Sequence, residues 1–174
     1  MSEERKLSPS SQTEQRMPER KFRVGTDIRL SGGGSFKLKI KREDGEVEEV
    51  VVKNLITDLG LDILVRNLTS INPVSLTHLV VSDATTTPSP NETVMPGTNK
   101  WAVAATPTRP SSAVVTWSGA FSKGAIVGTI GSIGLCSDSA GNNLFARVRI
   151  DPPKQVGAND TVELEYSLQL TRAQ

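Results

Sequence analysis

Two stretches decide the fold: Leu144-Phe145-Ala146-Arg147-Val148-Arg149-Ile150-Asp151 and Thr161-Val162-Glu163-Leu164-Glu165-Tyr166-Ser167-Leu168-Gln169-Leu170. In the first, Leu144, Ala146, Val148 and Ile150 alternate with Phe145, Arg147, Arg149 and Asp151. In the second, Val162, Leu164, Tyr166, Leu168 and Leu170 alternate with Glu163, Glu165, Ser167 and Gln169. A period of two marks a strand with one buried and one wet face. The segment from Pro152-Pro153 to Asp160 reads as a loop, so the two stretches predict a hairpin. With Asp151 facing Thr161, Arg149 faces Glu163 and Arg147 faces Glu165 outside, while Val148 meets Leu164 and Ile150 meets Val162 inside. Each such cross-strand pair contributes roughly 0.2–1 kcal/mol, and one register satisfies both faces.

Further strands lie upstream. Ala125–Leu135 is glycine-rich and β-branched, the composition of a bent or bulged strand. Trp101–Ala105 and Ala113–Phe121 read as strands joined through Pro107 and Pro110, and Thr77–Val81 as a short one. Between them, Ser82 to Asn99 is a long loop rich in Thr, Ser and Pro, a kind of segment that commonly contacts a partner. Phe36, Leu38 and Ile40 alternate with Lys37, Lys39 and Lys41, and Val47–Val52 returns after a turn centred on Asp44-Gly45. Across that hairpin the lysines match Glu46, Glu48 and Glu49. The one helix is expected over Asn54–Thr69. Leu55, Ile56, Leu59, Ile63, Leu64 and Leu68 form a single stripe, Asn54 is the N-cap, and Gly60 costs about 1 kcal/mol in the middle.

Ser31-Gly32-Gly33-Gly34-Ser35 reads as a flexible turn or hinge. It has no Gly-Lys-Ser/Thr ending and no following helix, so it is not a phosphate cradle. Phe22–Leu30 reads as a short edge strand. Residues 1–21 are polar and cannot bury enough surface to offset an ordering cost of roughly 1–2 kcal/mol per residue. Two readings stand: a tail that is disordered in the isolated monomer, and an arm that orders only on a neighbouring subunit, where Arg16, Arg20, Lys21, Phe22 and Arg23 make the contact. The expected organisation is an extended N-terminal arm over residues 1–30 and a β-sandwich domain over 31–174 with its helix at 54–69. The fold class is mainly β, a jelly-roll-like antiparallel sandwich of about eight strands with one covering helix.

Composition narrows the function. The chain has 174 residues, 22% of them charged, a formal net charge of +1 and 4% aromatics. That balance points to no membrane surface and no specific nucleic acid, although Lys37, Lys39 and Lys41 are the residues a nucleic acid would use. The N-terminus lacks a signal-peptide core, no run of about 18 apolar residues spans a membrane, and one thiol, Cys136, fits synthesis in a reducing cytosol. No cofactor or metal site is expected. His78 is the only histidine, and Asp83, Asp138 and Asn142 do not follow calcium-loop spacing. Cys136 with His78 is the only nucleophile–base pairing to weigh, and no local context lowers the thiol pKa. Gly131-Ser132-Ile133-Gly134 is not a nucleophile elbow. The catalytic set is therefore expected to be empty.

The order of motifs resembles small β-rich structural virion proteins of tailed bacteriophages, of the tail-fibre-like, baseplate-associated or capsid-decoration type. Lys53-Asn54-Leu55-Ile56-Thr57-Asp58-Leu59-Gly60-Leu61 is similar to their N-L-I-x-x-x-G-L helix start. Ile130–Leu135, Gly141–Pro153 and Asp160–Leu168 are similar to their closing strands, so the resemblance covers roughly residues 47–171. It departs at Ser82-Asp83-Ala84-Thr85-Thr86, where the family has G-T-G-x-T, and the N-terminal arm has no counterpart. The resemblance implies a structural, non-enzymatic virion component and no position in the particle; the function expected on that basis is assembly, as a homo-oligomer made in the host cytoplasm and repeated in the tail, fibre or collar region. Its partners would be portal, tail or baseplate proteins. The first alternative is a cement protein bound to the major capsid protein. The second is a receptor-binding module that uses loops 82–100 and 137–143, with Trp101 and Trp117, on a host glycan.

Overall fold

A computed structural model describes residues 30–172 of the chain. In order, the elements are β1 (Leu30–Lys41), β2 (Val47–Lys53), β3 (Leu55–Ile56), α1 (Asp58–Thr69), β4 (His78–Ser82), β5 (Lys100–Ala104), β6 (Thr106–Ser111), β7 (Val114–Phe121), β8 (Gly128–Cys136), β9 (Ala146–Val156) and β10 (Thr161–Arg172). The protein is mainly β. Its two antiparallel five-stranded sheets run β2-β1-β10-β7-β6 (sheet A) and β3-β9-β8-β4-β5 (sheet B). One core joins them, with Phe36, Leu38, Ile40, Leu164 and Tyr166 from sheet A and Leu79, Val81, Ile133, Leu135, Val148 and Ile150 from sheet B. This is the layering of a β-sandwich, with ten strands among the described residues where about eight were expected. No helix among the described residues is long and apolar enough to cross a membrane.

The β1–β2 hairpin forms as its alternation predicts. Gly45 takes φ +90°, its N–H donates to the Arg42 carbonyl (3.0 Å), and the Asp44 side chain accepts from the Glu46 N–H (2.9 Å). Lys37 pairs with Glu49 at 3.1 Å. The glycine run is not a hinge: Gly32, Gly33 and Gly34 lie in β1, opposite Leu170, Gln169 and Leu168 of β10. Gly34 explains the need for a bare backbone, because a Cβ there would collide with the Tyr166 hydroxyl and the Asn54 side chain. Phe36, Tyr166 and Trp117 pack as neighbouring rings at 4.6 and 5.8 Å.

The expected hairpin between the last two strands does not form. β9 lies between β3 and β8 in sheet B, and β10 lies between β1 and β7 in sheet A. Arg149 therefore does not face Glu163, nor Arg147 Glu165. Glu163 faces Lys39, with an ion pair of 3.4 Å, and Glu165 faces Lys37, while Arg149 pairs with Asp151 on its own strand. The physical reason is degeneracy. Lys37 and Lys39 offer β10 the same alternating positive charge as Arg147 and Arg149, and the inner faces of β9 and β10 meet in one core from opposite sheets. The Pro152-Pro153 segment is not a loop either. β9 continues through it to Val156, and its ladder with β8 breaks between Ile130 and Ser132, where prolines without N–H groups fit.

The helix begins later than expected. Leu55 and Ile56 pair with Arg147 and Ala146 as the edge of sheet B. Thr57, not Asn54, is the N-cap, its hydroxyl accepting from the Gly60 N–H at 2.9 Å and donating to the Leu144 carbonyl at 2.5 Å. Asn54 instead donates to the Tyr166 hydroxyl at 3.3 Å. Ile63 is buried in the main core with Leu59 and Leu64 against it, whereas Leu68 is 61% exposed and falls outside the buried stripe. Gly60 lies against the Phe145 carbonyl, with no room for a Cβ.

At the β1–β2 turn an ionic chain ties the sheets together. Arg42 reaches Asp160 (2.8 Å), the Gln155 carbonyl (2.6 Å) and Glu48 (2.9 Å), and Lys154 of β9 closes on Glu48 at 2.6 Å. The Gly157 N–H and the Arg42 guanidinium hold the Asp160 carboxyl below its ordinary value. Lys154 and then Arg42 do the same for Glu48, against the opposing pull of partial burial.

Two outcomes follow. Gly60→Ala, which helix propensity alone would favour by about 1 kcal/mol, should instead destabilise by about 1–3 kcal/mol through overpacking on Phe145; a raised thermal midpoint would contradict this packing. Because Asp160 and Glu48 have depressed folded pKa values, the stability they contribute is present above the ordinary carboxylate range of about 4. It is lost as pH falls through their lowered values, so urea midpoints should drop below about pH 4, and Arg42→Gln should flatten that drop.

Candidate functional site

The outer face of sheet B is where the sequence-predicted loops meet. Ladder register places Ser82, Val80 and His78 of β4 beside Ser132, Gly134 and Cys136 of β8, and Gly134 and Ser132 beside Arg147 and Arg149 of β9. Ile130 and Ile133 both enter the main core although they are three residues apart. The ladder irregularity between them breaks the alternation and turns both Gly131 and Ser132 toward the loop that follows β4.

That loop, residues 83–99, lies over the face and is fastened at its neck, middle and far end. At the neck, Asp83 accepts from the Thr98 N–H (2.9 Å), the Asn99 N–H (3.1 Å) and the Asn99 side chain (2.8 Å). In the middle, the Arg147 side chain, with no exposed surface, pairs with Glu92 at 2.6 Å. It also donates to the Thr86 carbonyl (2.8 Å), the Thr86 hydroxyl (3.0 Å) and the Ser132 hydroxyl (2.9 Å). Ser132 passes the chain on, donating to the Ala84 carbonyl at 2.6 Å. A Cβ on Gly131 would stand 2.6 Å from that same carbonyl. At the far end, Met95 is fully buried with Val80, Cys136 and Leu144 in a second small core. Its sulfur would lie 2.9 Å from a Cβ on Gly134. Arg147 Nε and Glu92 Oε2 are buried without hydrogen-bond partners among the described residues.

The 137–143 loop joins the same surface. Val94 bridges to Asn142, the Met95 N–H donates to the Gly141 carbonyl (2.8 Å), and the Leu144 N–H donates to the Thr93 carbonyl (2.9 Å). Asp138 organises this loop by accepting from the Ala140 and Asn142 N–H groups and the Asn142 side chain, each at 3.0 Å. Asn142 and these backbone groups draw its carboxyl below the ordinary value. The two loops expected to contact a partner are thus one continuous surface, with Thr85, Thr87, Asn91, Thr93 and Val94 exposed on it.

The remaining candidates sit elsewhere. Trp101 and Trp117 do not line this surface: both pack against the main core, and the Trp117 indole donates to the Leu76 carbonyl at 3.1 Å. Cys136 and His78 are cross-strand partners. The His78 ring, however, engages the Thr77 hydroxyl (2.9 Å), and burial, with Asp138 adding to it, pushes the Cys136 thiol up to about 12. That is the reverse of nucleophile activation. Asp83 and Asp138 each serve their own loop, and no group of three His, Cys, Asp or Glu side chains gathers among the described residues. Lys37 and Lys39 stand with Glu163 and Glu165 around a shallow groove floored by Gly119 and Ala120 on the outer face of sheet A, so opposite charges alternate there. Arg16, Arg20, Lys21, Phe22 and Arg23 lie outside the described residues.

Arg147 and Ser132 are what the sequence reading missed as a site. The signal was present: Glu92 is the one charged residue between Ala84 and Asn99, and Met95 is one of only two large apolar residues there. Arg147→Ala should cost about 3–5 kcal/mol, as breaking a buried ion pair does. The paired replacement Arg147→Met with Glu92→Leu should cost less than the single change, and protease cleavage within 83–99 should rise most in the single variant. Equal losses in chemical denaturation would argue against a coupled pair. In comparisons with protein-family models, curated proteins and solved structures, nothing matches the chain.

Proposed function

We propose that the chain is a non-enzymatic structural subunit of a tailed-bacteriophage particle. It is present in repeated copies in the tail, fibre or collar region and is held there by its N-terminal arm and its loops. The observation that carries the proposal is how the reactive side chains are used. Arg147, Glu92, Asp83, Asp138 and Asp160 each tie a loop or a sheet to its neighbour, and the one thiol is buried and held protonated. The motif order between residues 47 and 171 supports the same reading. Connections that cross between the sheets at β2–β3, β5–β6, β7–β8 and β9–β10 support a jelly-roll-like arrangement. In this reading residues 1–29 form an arm, Leu30 belonging to β1, and Arg16, Arg20, Lys21, Phe22 and Arg23 of that arm dock on the next subunit or on a portal, tail or baseplate protein. Many modest contacts then add up to avidity. A cement role on the major capsid protein would use the same arm at a different place on the particle.

A host-glycan role is the second reading, favoured by the fusion of loops 83–99 and 137–143 into one Thr- and Asn-bearing surface. It would work by hydrogen bonding, because neither tryptophan is placed on that surface to stack against a sugar ring.

The test is deletion of residues 1–21. The truncated chain should fold, with an unchanged thermal midpoint, and should be missing from particles purified after complementation. Incorporation at the normal level would remove the arm from the proposal, and absence of the full-length chain from particles would remove the virion role altogether. Label on tails rather than heads in electron micrographs separates the tail role from the cement role.

A further inference from the structure

Four strand edges border the two sheets, and they are not equivalent. β6 carries Pro107 and Pro110, β3 has two residues and β5 has five. β2 has seven residues, no proline and no strand on its far side among the described residues. Its backbone polarity can be read from one bond. The Asn54 N–H donates to the Gly34 carbonyl at 3.1 Å. Antiparallel ladders alternate between bonded and non-bonded pairs, so Val52, Val50 and Glu48 also bond to β1. Val47, Glu49, Val51 and Lys53 therefore turn their N–H and C=O groups outward, away from the sheet. The same four residues are the exposed ones, with Val47 at 54% and Val51 at 62% exposure. A strand offering a row of free backbone groups beside exposed valines is a template for another strand.

The pattern of those four residues selects the occupant. We infer that β2 pairs antiparallel with β2 of a second copy of this chain about a two-fold axis at Val51, which joins two sheets A into one ten-stranded sheet. In that register Val51 meets its own symmetry mate, and Glu49 meets Lys53 of the second copy twice. Moving the axis to Val50 sets valines against charges, and moving it to Glu49 sets Glu49 against itself. Only the Val51 axis satisfies both charge and hydrocarbon. Lys53 has no ion pair among the described residues, and Glu49 is held by Lys37 from the inner side of its strand. The inference rests on the reading of the chain as a repeated subunit and specifies one contact between copies. It does not depend on which particle they build.

The full chain is tested by sedimentation equilibrium over a concentration series. A dimer is expected, with a dissociation constant raised about tenfold by Glu49→Lys or by Lys53→Glu alone and restored by the two together. Circular dichroism melts check that each variant folds. Independently of any variant, hydrogen exchange should show the Glu49, Val51 and Lys53 amides becoming protected as concentration rises. A chain that is monomeric throughout the series overturns the inference, as do amides that exchange freely at every concentration. So does a dimer indifferent to both charge reversals but lost when residues 1–29 are deleted, which would give the contact to the arm. A monomer in solution that still enters particles would defeat this contact and leave the virion proposal standing.

Discussion

A guanidinium with no exposed surface must find its acceptors inside the protein, because leaving it unpaired costs several kcal/mol. Arg147 finds them on a segment more than fifty residues earlier in the chain: the Glu92 carboxylate, the Thr86 carbonyl and the Thr86 hydroxyl, with Ser132 linking on to Ala84. The outer face of sheet B follows from this requirement. The Thr/Pro-rich loop has little hydrocarbon of its own to hold it down, so a charge buried beneath it supplies direction as well as attraction. In the seating observed, the two terminal nitrogens of the group find acceptors on the loop and on Ser132. Gly131 and Gly134 matter for the same reason, since a side chain at either would lift the loop away from the strand. Once 83–99 is seated, the Met95 and Leu144 contacts and the bridge to Asn142 bring the second loop into place.

Much of the fold was legible in local pattern. The hairpin of Phe36–Ile40 with Val47–Val52, the Asp44-Gly45 turn, the strand at Val162–Leu170 and the helix through Ile63 all stand where alternation and periodicity put them. Partner choice was not legible. Alternating glutamates on β10 are satisfied equally by Arg147 and Arg149 or by Lys37 and Lys39, and only the packing of two sheets across one core separates the options. Leu55 and Ile56 fit a helical stripe as well as a strand, so the position of the N-cap depended on where β9 runs. Alternation puts Arg147 on a wet face, because a period of two says nothing about what covers the second face. Here the cover comes from a loop distant in sequence.

The ionic chain at Arg42 and the clasp at Arg147 illustrate two uses of charge. The first is partly solvated and joins the turn ends of both sheets. The second is dry and joins a loop to a sheet. The outer face of sheet A is where exposed charges alternate in rows, and among the described residues those rows stop at its β2 edge.

Sheet A has a further property in its order of synthesis. β10, its central strand, is the last described strand to be made, while its neighbours β1 and β7 belong to hairpins completed much earlier. Until residues 161–172 emerge, the β1–β2 and β6–β7 hairpins share no ladder, and each shows an unpaired edge to its surroundings. Sheet B by contrast closes as soon as β9 is available. Sheet A therefore depends on one long-range pairing, in which a single strand joins two hairpins and closes a loop of nearly the whole domain. Such high-contact-order steps are slow. Without β10 in place, the edges of β1 and β7 that it covers are open to pairing with another copy.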